Sequence, residues 1–99
     1  MREGGRTIKD VLDAVAKHYG ITREQVVSER APVPFGARRI ALHLACRVTQ
    51  RSLTEIGAAF GGVSSTNVLF AKRKIERDMT KDAELAAEVE GIKASLLSK

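Results

Sequence analysis

Ser52-Leu53-Thr54-Glu55-Ile56-Gly57-Ala58-Ala59-Phe60-Gly61-Gly62, with the run Ser64-Ser65-Thr66-Asn67-Val68 that follows, is the stretch that decides the fold. Ser52 and Glu55 form a capping box, which predicts a short helix over Leu53 to Phe60. The Gly61-Gly62 pair stops it. A longer helix is expected from Ser64 or Ser65 to about Met79, with Val68, Ala71, Ile75 and Met79 facing inward. Steps of about 100° per residue then set Thr66, Phe70, Arg73, Lys74 and Arg77 broadly on the opposite side. Gly57, Ala58 and Ala59 are small enough to let the two helices cross closely. A short capped helix, a glycine turn and a longer basic helix read as a helix-turn-helix. A solvated basic face on an ordinary helical hairpin produces the same pattern, so periodicity alone leaves both readings open.

The flanking sequence is helical throughout. Thr7 with Asp10 opens a helix whose Ile8, Val11, Leu12, Val15 and Ala16 share one face, and Gly20 ends it. Thr22 with Gln25 repeats the capping signature before a short helix holding Val26 and Val27. Pro32 and Pro34 break regular structure over 31–36. A third helix is expected from about Ala37 to Thr49. Its buried face is Ile40, Ala41, Leu44, Ala45 and Val48, and Arg39, His43 and Arg47 form a polar stripe. Thr80 is expected to cap a last helix carrying Leu85, Ala86, Val89, Ile92, Leu96 and Leu97. No stretch alternates like a strand, so the fold class is all-α: a small multi-helix domain over 7–99, preceded by a disordered segment over 1–6.

Composition narrows the function. The chain has 99 residues, enough for one small core and one site. It contains no apolar run of bilayer length, and the expected setting is cytoplasmic, with no membrane partner. The one cysteine, Cys46, excludes an internal disulfide and any zinc site built on paired cysteines. The net charge of +5 is unevenly placed. Arg30, Arg38, Arg39, Arg47 and Arg51 lie in a stretch without an acidic residue, and Lys72, Arg73, Lys74 and Arg77 stand against Glu76 alone. Such clustering points to a polyanion. Paired carboxylates, a nucleophile motif and a phosphate loop are absent, so no enzyme, cofactor or metal is expected.

The residues themselves carry a resemblance. Ser52-Leu53-Thr54-Glu55-Ile56-Gly57 through Phe60-Gly61-Gly62, with Arg73-Lys74-Ile75-Glu76, resembles the C-terminal DNA-binding domain of the DnaA family of bacterial chromosomal replication initiators. Arg38 through Ala45 is similar to that domain's helix before the motif, and Ile8 through Val27 to its opening pair of helices. The likeness covers residues 7–79 closely and the last helix loosely. It implies a Trp-repressor-like helix-turn-helix, double-stranded DNA as partner, and a part in replication initiation or its regulation, with other initiation proteins as further partners. No GxxxxGK[ST] loop is present, so ATP binding is not expected. Met1 favours a stand-alone domain over a fragment.

The base-reading set departs from the family. Where the family's recognition helix opens Asp-His-Thr-Thr-Val, this chain has Ser64-Ser65-Thr66-Asn67-Val68, and only Thr66 and Val68 match. The family's minor-groove arginine falls on Gly36. Candidate base contacts are therefore Ser65, Thr66, Asn67 and Phe70; capping is the competing role for Ser64 or Ser65. Candidate phosphate contacts are Arg38, Arg39, Arg51, Lys72, Arg73, Lys74 and Arg77. The phosphate-type cations support DNA affinity, while the altered readers remove the basis for the family's usual box. Phe70 is polar in the family; outward, it suits a thymine methyl or a protein partner, and inward it packs on the 31–36 loop. His43 is read as a solvent-facing histidine, and His18 beside Tyr19 as helix-end packing. The alternative function is a protein-interaction adaptor that kept the fold and lost specific DNA recognition. The last helix allows a monomer or a weak homodimer.

Overall fold

A computed structural model describes residues 6–28 and 36–97. Among the described residues the chain forms helices and no strand: α1 (Ile8–Tyr19), α2 (Arg23–Val27), α3 (Ala37–Val48), α4 (Leu53–Ala59), α5 (Ser65–Lys81) and α6 (Ala83–Leu97). The caps form as the sequence predicts. Thr7 Oγ1 accepts from the Asp10 N–H at 3.1 Å while Asp10 Oδ2 accepts from the Thr7 N–H at 3.0 Å. Thr22 with Gln25, and Ser52 with Glu55, close the same reciprocal pair. Each satisfies two N–H groups that have no partner inside the helix.

α3 is the central element and packs against α1, α2, α4 and α5, while α6 lies across α1 and α5. Its burial is wider than one stripe: Ala37, every residue from Ile40 to Ala45, and Val48 are buried. The core around it is Val11, Val15, Val26, Ile56, Phe60, Val68, Ile75, Val89, Ile92 and Leu96. Burial of these side chains, at about 1.5–3 kcal/mol each, drives the assembly of helices too short to persist alone.

Four expectations need correcting. α5 continues through Thr80 to Lys81, and Thr80 Oγ1 donates back to the Arg77 carbonyl. Asp82 takes the capping role instead: its N–H closes α5 on the Asp78 carbonyl at 2.9 Å, and its carboxylate accepts from Leu85 N–H at 3.1 Å. His43 is not on a solvated stripe. It is only 5% exposed, because α5 crosses α3 at that point. Of the small residues in α4, Gly57 alone makes a close approach; Ala58 and Ala59 are exposed. Finally, Arg6 belongs to the folded part: its guanidinium donates to the carbonyls of Leu96 and Leu97 at 3.0 and 2.8 Å, tying the chain start to the end of α6. Residues 1–5 and the segment 29–35, including Arg30 and both prolines, lie outside the described residues.

Candidate nucleic-acid interface

The turn between α4 and α5 sets the recognition geometry. The Gly57 carbonyl accepts from the N–H groups of Phe60, Gly62 and Val63 at 3.1, 3.0 and 2.9 Å. A Cβ at Gly57 would fall on the Val63 carbonyl oxygen, so only glycine lets the returning chain pass this close. Gly61 and Gly62 both hold positive φ, at 88° and 95°, which reverses the chain toward Ser64. Ser64 then caps α5, its hydroxyl accepting from the Asn67 N–H at 3.2 Å. This settles which serine caps: Ser64 is used, and Ser65 stands in the first turn with an exposed side chain.

α5 divides into two faces. Val68 and Ile75 are buried, with Ala71 and Met79 packed beside them. Ser65, Thr66, Asn67, Phe70, Arg73, Lys74 and Arg77 are exposed. Phe70 is 60% exposed, an aromatic ring standing in a polar stripe. Among the described residues Arg73 and Arg77 have no acidic partner, whereas Lys74 pairs with Asp78 at 3.3 Å. Arg39, Asn67, Phe70 and Lys74 converge on one recess of about 500 Å³ between α3 and α5, floored by Leu42 and Ala71.

Two of the expected phosphate contacts also hold bonds within the fold. Arg38 is half-buried; its Nε donates to the Val27 carbonyl at 3.0 Å and its Nη2 reaches the Phe60 carbonyl at 3.5 Å. It joins the end of α2 to the end of α4, although it also borders the recess. Lys72 lies one turn after Val68 and so shares the inward side of α5. Its Nζ bonds Glu76 Oε2 at 3.0 Å. That bond holds the Glu76 carboxyl below the usual carboxylate range. Arg51 is exposed before α4, with Glu55 at 3.7 Å, a separation that leaves it largely solvated.

Behind the stripe, α3, α5 and α6 enclose a charged seam. His43 Nδ1 lies 3.9 Å from Glu76 Oε2, beyond hydrogen-bond reach, and has no hydrogen-bond partner among the described residues. Burial pushes its pKa down, with Glu76 opposing and Arg47, Lys72 and Lys93 adding to the depression. Burial likewise raises the Cys46 thiol. On the far side, His18 meets Glu88 at 3.0 Å, and burial with Glu88 beside it raises the Tyr19 phenol. No group of three potential metal-ligating side chains occurs among the described residues. No helix among them is long and apolar enough to cross a membrane.

The seam and the double use of Arg38 are features of the folded chain that the sequence-based expectations did not include. The 100° step already placed Lys72 near Val68 and Ile75, so that signal was present. The burial of His43 had no local signal, since it depends on where α5 crosses α3.

Comparison with known proteins gives one consistent picture. The family model for the bacterial dnaA protein helix-turn-helix matches residues 8–75. The chain is 44% identical over 87 residues to the chromosomal replication initiator protein DnaA of Rhizobium meliloti (strain 1021), covering 87% of this chain and 18% of that protein. It is 43% identical over 90 residues to the protein of the same name from Rhodopseudomonas palustris (strain BisA53), with 90% and 19% covered. The corresponding protein of Xanthobacter autotrophicus is 44% identical over 87 residues, with 87% and 17% covered. The chain thus spans less than a fifth of the length of these relatives.

Proposed function

This chain belongs to the bacterial DnaA helix-turn-helix family, and from that premise we propose that it is a double-stranded-DNA-binding module with α5 as its major-groove helix. The observation that carries the reading is the outer face of α5, where exposed polar side chains in the first turn are followed by the arginines Arg73 and Arg77, which have no acidic partner among the described residues. Ser65, Thr66, Asn67 and Phe70 face the base edges; Arg39, Arg51, Arg73, Lys74 and Arg77 face phosphates. Arg38 and Lys72 have a smaller share, because reaching DNA breaks their bonds to Val27 and Glu76. The process served is replication initiation or its regulation. ATP-dependent assembly is not part of the proposal.

The first-turn residues set a preference different from that of a helix opening Asp-His-Thr-Thr-Val. One good bidentate base contact is worth about 1–3 kcal/mol of discrimination, so three changed readers suffice to redirect it. Phosphate neutralisation is independent of sequence and persists. A second reading, a protein-interaction adaptor, draws on the 60% exposure of Phe70. Fluorescence anisotropy with a random-sequence duplex separates the two. The DNA reading expects binding at low salt that weakens steeply as salt rises; absence of binding at low salt refutes it.

A further inference from the structure

Phe70 stands where a helix-turn-helix meets the base edges, yet its ring has no hydrogen bond to offer. It lies on the exposed side of α5, one turn after Asn67 and one turn before Lys74, and the three side chains border the same recess with Arg39. Phe70 is 60% exposed, an apolar ring among polar and cationic side chains on the face that DNA binding assigns to the base edges. On major-groove base edges the one apolar projection is the C5-methyl group of a pyrimidine; every other feature there is a donor or an acceptor. We infer that Phe70 makes this module a reader of the pyrimidine C5-methyl group, held in register by Asn67 on a neighbouring adenine.

The inference rests on the DNA-binding reading and adds the chemistry of the base that is recognised. Among the described residues Asn67 makes no side-chain hydrogen bond, so its amide is available for the N6 and N7 edge of adenine. Phe70 follows it by three residues, about 4.5 Å along the helix. Against a base-pair rise of about 3.4 Å, the methyl lies one or two base pairs from that adenine. Arg73 and Arg77 follow Phe70 on the same exposed face and anchor the strand that carries the methyl group. Thymine and 5-methylcytosine both place a methyl at this point of the groove, so either base satisfies the contact.

Four duplexes of equal length test this: alternating dA–dT, the same with deoxyuridine for thymidine, alternating dG–dC, and the same with 5-methyldeoxycytidine for deoxycytidine. Affinities are read by anisotropy at one fixed, low salt concentration. The expected result is about fourfold tighter binding for the methylated member of each pair, which is the worth of one buried methyl group, about 0.8 kcal/mol. Phe70→Ala abolishes both ratios, and Phe70→Leu, which keeps an apolar contact, preserves most of each. Asn67→Ala lowers the preference for the adenine-containing duplexes. Because Phe70 is exposed, equal melting temperatures for wild type and Phe70→Ala accompany the expected result. Equal affinity within both pairs overturns the inference and leaves DNA binding intact, as do ratios that survive Phe70→Ala. Failure to bind any duplex overturns the DNA reading itself and returns Phe70 to a protein partner.

Discussion

Replacing Gly57 with alanine strikes the point on which the recognition geometry depends. The added Cβ meets the Val63 backbone carbonyl, and a backbone atom cannot rotate out of the way. Either α4 and the turn move apart or the overlap persists, and overpacking of this kind costs about 1–3 kcal/mol. Moving the turn also breaks the hydrogen bonds from Gly62 and Val63 to the Gly57 carbonyl, at roughly 1 kcal/mol each. Alanine's better helix propensity returns about 1 kcal/mol. The net loss is about 3 kcal/mol, which in a domain of this size lowers Tm by about 12–24 °C. Gly91 supplies the internal control: it lies within α6, and a Cβ there meets nothing within 4 Å. Gly91→Ala should gain about 0.5–1 kcal/mol and raise Tm by a few degrees. Circular-dichroism melts of the two variants decide the matter. Should Gly57→Ala melt at or above the wild-type temperature, the close approach described for the turn is wrong.

The His43 pKa is depressed by burial, so the unfolded chain takes up the proton first; stability is fully present above about the ordinary value of 6.5 and is lost as pH falls below it. Urea midpoints between pH 7.5 and 5 should fall more steeply in wild type than in His43→Leu, and parallel profiles would contradict this. Arg38→Ala should lower Tm by breaking the bonds to Val27 and Phe60, whereas Arg73→Ala should leave Tm unchanged and weaken binding to all duplexes; the reverse pattern exchanges their roles. Asp82→Ala removes the cap on Leu85 N–H and should cost about 1 kcal/mol in a thermal melt, while Thr80→Ala should cost less.

Much of the fold was legible because its signals are local. The capping boxes at Thr7, Thr22 and Ser52 each involve residues three apart, and the structure closes all of them. The inward set Val68, Ala71, Ile75 and Met79 follows from helix period alone. Misreadings arose where a residue answers to something distant in sequence. His43 has charged neighbours at four-residue spacing, which reads as a surface stripe until α5 covers it. Arg38 is cationic and follows the loop, as a phosphate contact does, but carbonyls 11 and 22 residues away hold its guanidinium. Asp82 displaced Thr80 as a cap because α5 runs two residues further than expected, to Lys81. The outward face Thr66, Phe70, Arg73, Lys74 and Arg77 was legible from helix period; Ser65 and Asn67 are exposed beside it in the first turn, whose chemistry distinguishes this chain from a helix that opens Asp-His-Thr-Thr-Val.

On the proposed function, the outer face of α5 and the cations around it hold duplex DNA by its phosphates. Phosphate contact is read from the salt dependence of binding to a random-sequence duplex. With Arg39, Arg51, Arg73, Lys74 and Arg77 each neutralising one phosphate, log K should fall against log salt with a slope of about −4.5, roughly a 500-fold loss between 50 and 200 mM. Arg77→Ala should make that slope shallower by about one, and Lys72→Ala should change it little. A slope near zero, or one that Lys72→Ala alters and Arg77→Ala does not, refutes phosphate binding by this face.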